Sequence, residues 1–160
     1  MPIYMNYDEL KITGDATEAG HPKWIELDSL QFGVSRSIAS PVGGVNDREA
    51  TGPSVSEIVV TKVTDVSTIQ LLNEALQGEG KTVVIDFCKT DAGKLEVYMT
   101  YTLTNCMISG HSLSSSGDRP HESLSLNFTK VELKNVAMGA DAKAGNPETI
   151  TYDLGLAAVC

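Results

Sequence analysis

The sequence predicts a mainly β fold, and three observations carry that prediction. Apolar and polar residues alternate with a period of two along most of the chain. The clearest run has Leu95, Val97, Met99, Tyr101 and Leu103 interleaved with Glu96, Tyr98, Thr100, Thr102 and Thr104. Such alternation gives a strand one apolar and one polar face. Turn signals separate these runs, notably Asp91-Ala92-Gly93 and the segment 114–120. Only one segment, 68–77, has the spacing of a helix. Many strands and a single short helix predict a barrel or sandwich of packed antiparallel sheets, with the helix over one opening or flank.

Taken in order, the first strands are expected at residues 3–10, 23–34 and 57–63. Between the last two lies a segment, 35–53, that contains Pro41, Gly43, Gly44, Asn46, Asp47, Gly52 and Pro53 and reads as a long loop. Loops above about 12–15 residues are uncommon in small domains and are usually functional or disordered. The helix follows at Thr68–Gln77, with Ser67 and Gln70 at capping-box spacing and Asp65 as the other candidate cap. Its expected buried stripe is Ile69, Leu72, Ala75 and Leu76, and Gly78 and Gly80 end it. Strands at 82–89 and 95–104 are joined through Asp91-Ala92-Gly93, where glycine supplies a positive φ. A strand at 106–112 precedes the turn at 114–120.

Leu124, Leu126 and Phe128 then alternate with polar residues, but Val131 and Leu133 have the other parity. A bulge or bend near Lys130 accounts for that slip. The segment 139–147 reads as a linker to a final stretch at 149–156.

A chain of 160 residues with 41% hydrophobic content fits one domain, 1–160, able to build a core without disulfides or metals. The net charge of −9 repels phosphate backbones and anionic lipid surfaces, so no nucleic acid partner is expected. No stretch approaches the roughly 20 apolar residues of a membrane-spanning helix, so no membrane insertion is expected. The N-terminal residues lack the basic start and apolar core of a secretory signal. Cys88 and Cys106 fall in strand-like segments and read as buried, reduced thiols, while Cys160 is terminal.

The search for chemistry finds no anchor for catalysis. His111 and His121 flank the 114–120 turn with Asp118 between them, but the spacing matches no zinc-ligand pattern. His21, before Pro22, reads as a loop residue. The serines near 112–116 lack a G-x-S-x-G elbow, and the glycines match no phosphate loop. Asp86 reads as part of a strand's polar face, and Trp24, the only tryptophan, as a core aromatic. Catalytic, cofactor-binding and metal-ligating residues are therefore all expected to be none.

The order of segments resembles the haemolysin-coregulated protein (Hcp) family, the inner-tube proteins of type VI secretion systems. The resemblance runs through Ile3-Tyr4-Met5, Gly14-Asp15-Ala16-Thr17 and His21-Pro22-Lys23-Trp24-Ile25-Glu26-Leu27. It continues with Phe32-Gly33-Val34-Ser35-Arg36, the helix from Asp65 to Leu76 with Gly78, Leu124 to Val131, and Tyr152-Asp153-Leu154. It implies a single β-barrel of two packed antiparallel sheets with one flanking helix. It also implies a homohexameric ring, stacking of rings into a tube, and no enzymatic activity. Implied partners are other copies of the chain, a spike protein, a contractile sheath and secreted effectors, some carried and chaperoned in the ring lumen. Assembly in the bacterial cytoplasm and secretion without a signal peptide are implied too. On this resemblance the long loop is expected to present Pro41, Val42, Gly43, Gly44, Asp47 and Arg48 at the ring-to-ring face. A phage-type tail-tube protein and a monomeric ligand-binding β-barrel are the alternatives. The apolar C-terminus, Ala157-Ala158-Val159-Cys160, departs from the polar end the family leads one to expect.

Overall fold

Fourteen strands and one helix account for the regular structure among the described residues, which in the computed structural model are 1–39, 49–50, 52–91, 93–138 and 144–160. The first five strands are β1 (Ile3–Tyr7), β2 (Ile25–Leu27), β3 (Ser29–Gln31), β4 (Val34–Ser35) and β5 (Ile38–Ala39). Then come β6 (Glu49–Ala50), β7 (Ser54–Val55), β8 (Ile58–Val63) and the helix α1 (Thr68–Gln77). The longer strands follow: β9 (Lys81–Asp91), β10 (Lys94–Ser114), β11 (His121–Asn127), β12 (Lys130–Met138) and β13 (Ala144–Asp153), with β14 (Ala158–Val159) last.

Two antiparallel sheets share β10. One runs β2-β1-β9-β10-β12-β13-β14, the other β10-β11-β8-β3. The expected strands 95–104 and 106–112 are in fact one strand of 21 residues, bent where Asn105 takes a left-handed φ of 54°. The bend switches which parity is buried, from Tyr101 and Leu103 to Cys106 and Ile108. The opposing chain breaks at the same level, at Phe128–Thr129 between β11 and β12, which is the parity slip expected near Lys130. Register across β10 is unchanged there, with Met107 opposite Asn127 and Thr104 opposite Lys130. What changes is the outer neighbour, from β8 beside β11 to β13 beside β12.

The sheets meet again at Asp28, where the chain passes directly from β2 to β3 and the Asp28 N–H donates to the Thr61 carbonyl at 2.7 Å. The hydrogen-bonded ladder does not run unbroken round the barrel; this bend takes its place. Inside sit Met5, Tyr7, Ile25, Ile58, Val60, Ile85, Leu103, Leu124 and Leu126, all fully buried.

Several boundaries differ from the sequence expectation. The first strand stops at Tyr7 because Asp8, Glu9 and Leu10 all turn left-handed, a turn closed by the Leu10 N–H on Asn6 Oδ1 at 2.8 Å. The 23–34 strand is divided by the Asp28 bend. Residues 144–147, read as linker, belong to β13; the rest of that linker, 139–143, lies outside the described residues. Pro147 is accommodated because β14 covers β13 only at Tyr152 and Asp153. The apolar C-terminus is that cover, with Val159 opposite Tyr152. The turn after β9 matches expectation at Gly93, whose φ is +81°; Ala92 lies outside the described residues.

The helix has its expected limits, but its cap and its buried face differ. Neither Ser67 nor Asp65 makes a side-chain cap bond: Ser67 is the N-cap residue, and Asp65 Oδ1 accepts from its N–H at 2.9 Å and from its hydroxyl. Leu71 is the fully buried residue, with Ala75 one turn on packed against the core. Ile69, Leu72 and Leu76 of the expected stripe face outward, 73%, 37% and 77% exposed. The helix is apolar over more than one stripe, and packing against β10 selects the Leu71–Ala75 side.

Candidate assembly surfaces and buried charge networks

The segment read as a long loop is partly a β-arm. Its flanks pair with each other, Val34 with Val55 and Ser35 with Ser54, then Ile38 with Ala50 and Ala39 with Glu49. At its base the Gly33 N–H donates to Ser56 Oγ at 2.9 Å, and the Ser56 N–H returns a bond to the Gly33 carbonyl at 2.9 Å. The candidate stacking residues Pro41, Val42, Gly43, Gly44, Asp47 and Arg48 lie outside the described residues.

Among the described residues two apolar surfaces stand uncovered. One is a groove of 310 Å³ between the base of the arm, at Val34, Pro53 and Val55, and the outer strands, at Leu133, Ile150 and Val159. Val34, Ile150 and Val159 are 59%, 55% and 65% exposed. The other is the outer ridge of α1, Ile69, Leu72 and Leu76, continued by Val66. Contiguous exposed apolar surface on a folded protein marks an interaction site more often than chance exposure does.

Two buried charge networks lie elsewhere. The first is centred on His21, which is buried although it sits in a loop. The loop folds back on itself: the Gly14 N–H donates to the Lys23 carbonyl at 2.9 Å, and Lys23 and Ala16 are similarly paired. A Cβ on Gly14 would stand 2.6 Å from the Trp24 carbonyl oxygen and 2.7 Å from Ile25 Cα, so only glycine permits this approach. The turn delivers the His21 ring onto Tyr4 of β1, stacked at 4.8 Å, with Trp24 edge-on at 4.7 Å. Nδ1 lies 2.6 Å from Glu18 Oε2, and Nε2 lies 2.9 Å from Asp86 Oδ2 on β9. Asp86 Oδ1 accepts from Thr100 Oγ1 at 2.9 Å. Bonds from the Gly20 N–H and then from His21 hold the Glu18 carboxyl below its usual range.

Cys88 Sγ lies 3.9 Å from His21 Nε2, a contact that superficially looks like a thiol–imidazole pair. The thiol is fully buried, and burial followed by the charges of Asp86 and Glu18 pushes its pKa up to about 11. A nucleophilic thiol needs the opposite shift. Cys106 is raised further, to about 12, by burial.

The second network lies between β8, β11 and the start of α1. Lys62 and Glu122 are cross-strand partners with fully buried side chains, Nζ 2.6 Å from Glu122 Oε2. Lys62 Nζ also donates to Asp65 Oδ1 at 2.9 Å and to the Val63 carbonyl at 3.0 Å, which uses all three of its protons. Glu122 further accepts from Thr68 Oγ1 at 2.7 Å and pairs with His111 Nε2 at 2.8 Å.

His111 and His121 are not brought together: His111 opposes Leu124, while His121 opposes Ser114 and lies 3.7 Å from Asp28. Among the described residues no group of three or more His, Cys, Asp or Glu side chains is placed to hold a metal. Lys62 and Glu122 carry no motif, yet their position is legible in the strand parity. Lys62 has the inward parity of Ile58 and Val60, and Glu122 that of Leu124 and Leu126. The burial of His21 has no such signal, because loops have no period. Trp24 is half-buried, packed on the small cluster of Tyr4, Ala16 and Cys88 outside the main core.

The described residues thus form a barrel with shared strand β10, one flanking helix and a paired arm. The family model for the type VI secretion system effector Hcp matches residues 4–134. The chain belongs to that family. It is similar over 99% of both chains to a solved type six secretion system protein, at 25% identity and a TM-score of 0.86. Hcp1 from Salmonella typhimurium is 22% identical, with 99% of this chain and 98% of that one covered and a TM-score of 0.76. A type VI secretion system effector from Yersinia pestis is 22% identical, with 94% and 98% covered and a TM-score of 0.72. No curated protein sequence matches the chain at a significant level. Among the described residues no helix is long and apolar enough to cross a membrane.

Proposed function

We propose that the chain, as a single domain 1–160, is the ring-forming subunit of a type VI secretion inner tube. Six copies close into a ring, rings stack, and the tube carries effectors when a sheath contracts behind a spike protein. The subunit is made in the bacterial cytoplasm and leaves with the tube. It performs no enzymatic step. The observation that carries this reading is the Hcp family match over residues 4–134 on a fold that follows a type six secretion protein end to end. The two uncovered apolar surfaces are consistent with it. A head-to-tail ring requires two different contact surfaces on each copy, and the groove and the α1 ridge share no residue.

The solution mass of the reduced protein, by size exclusion with light scattering, tests the reading. Six copies of a 17.1 kDa chain give a ring of about 103 kDa. A stable monomer at high micromolar concentration refutes ring formation. The arm supplies a second test. Removing residues 41–48, including Pro41, Val42, Gly43, Gly44, Asp47 and Arg48, is expected to leave rings intact and weaken their stacking. Electron microscopy of concentrated protein reads the difference, and tubes of undiminished length would exclude a stacking role for the arm.

A further inference from the structure

We propose that Glu122 is an acid-sensitive latch that fastens the first turns of α1 to the barrel. Glu122 sits where three elements converge. Its Oε2 takes Lys62 of β8 at 2.6 Å and Thr68 at the first position of α1 at 2.7 Å, and its Oε1 takes His111 of β10 at 2.8 Å. Asp65, in the link leading into the helix, shares the Lys62 ammonium at 2.9 Å and accepts from the N–H of Ser67, the N-cap residue, at 2.9 Å. Lys62, Asp65 and His111 are the charged or titratable groups facing this centre; His121, on the same strand as Glu122, is exposed and faces Asp28.

The latch opens by a local route. The Lys62 side chain is fully buried, and Glu122 is its buried counter-charge. Protonating Glu122 leaves an ammonium out of water with only the partly buried Asp65 to balance it. A buried cation without its partner is strongly unfavourable, and the system relieves it by admitting water. The cover above Lys62 is the turn formed by Asp65, Ser67 and Thr68, so admitting water means lifting the start of the helix.

The direction of the pH effect follows from the carboxyl. Burial alone would raise its pKa, but hydrogen bonds from Lys62, His111 and Thr68 together outweigh burial and hold it below the ordinary range. A carboxylate lowered on folding stabilises above its unfolded pKa, and that stability is lost as the pH falls through the folded value. The latch is therefore closed at neutral pH and opens in acid, below the ordinary carboxyl value of 4.5.

Hydrogen exchange by mass spectrometry on the full chain tests this, with rates corrected for the intrinsic effect of pH. As the pH is lowered stepwise from about 7 until the carboxyl is protonated, amides 71–75 are expected to lose up to roughly tenfold of their protection for each unit by which the carboxyl is lowered, while β9 and β10 keep theirs. Loss of protection everywhere at once, or nowhere, overturns the latch. Glu122→Gln is expected to show at neutral pH the helix exchange that the parent shows in acid. If that variant fails to fold, Lys62→Met with Glu122→Leu removes both charges at similar volume, and its helix should lose much less protection in acid than the parent's. The same acid loss in that double variant would overturn the assignment to Glu122.

Discussion

Replacing Lys62 with alanine is expected to lower folding stability by about 3–5 kcal/mol, among the largest effects of any single substitution in this chain. The expected size comes from what is left behind. Glu122 keeps its place between two strands, fully buried, with hydrogen bonds from Thr68 and His111 but no cation. Asp65 loses its ammonium as well and keeps only the bonds from Ser67. Folded domains are stable by only about 5–15 kcal/mol, so the variant should unfold at a much lower urea concentration. The cost belongs to the broken pair and not to the pair's net worth. Replacing both partners, Lys62→Met with Glu122→Leu, should cost far less or even stabilise, because two desolvation penalties vanish together. Urea titrations of the single and double variants decide the point. Equal losses in both would mean that the ion pair itself stabilises the fold, because the double variant keeps the packing volume and strands neither charge of the pair.

The contrast between these networks and the core shows what a sequence exposes. Strand alternation is readable because a half-buried sheet imposes a period of two on side chains, and the helix limits are readable from Ser67 and Gly78. Even the corner of the barrel leaves a trace, as the parity slip between Phe128 and Val131. The face on which α1 packs is not readable. Ile69, Leu72 and Leu76 are as apolar as Leu71 and Ala75, and only the placement of β10 decides between the two sides. The division of 23–34 at Asp28 also leaves a parity slip, from Ile25 and Leu27 to Leu30 and Phe32, but a slip of one residue inside a single run reads equally as a bulge. The arm reads as irregular because its pairings are two residues long, shorter than any periodic pattern that could announce them.

His21 is the other site where one substitution should have a large effect, and Trp24 makes it visible. His21→Ala removes a buried hydrogen bond to Asp86, for which a charged partner implies about 1.5–3 kcal/mol. It also removes a ring packed between Tyr4 and Trp24, worth roughly another 0.5–1.5 kcal/mol beyond the area it covers. The Glu18 contact lies at the surface and is left out of that sum. A loss of about 2–4.5 kcal/mol in urea unfolding is expected. The loop should respond before the barrel does. Residues 14–24 are held to β1 and β9 by this ring together with Ala16 and Trp24 packed on Tyr4 and Cys88, whereas the barrel core lies on the other side of the sheet. Trp24 is the only tryptophan, so its emission reports the loop without interference. In the variant it should shift to the red in the absence of denaturant, as water reaches the indole, while far-ultraviolet circular dichroism stays that of the parent. His21→Gln, which can still reach one carboxylate, should fall between the two. Unchanged Trp24 emission in His21→Ala would show that the loop's own backbone hydrogen bonds, from Gly14 to Lys23 and from Lys23 to Ala16, suffice to hold it.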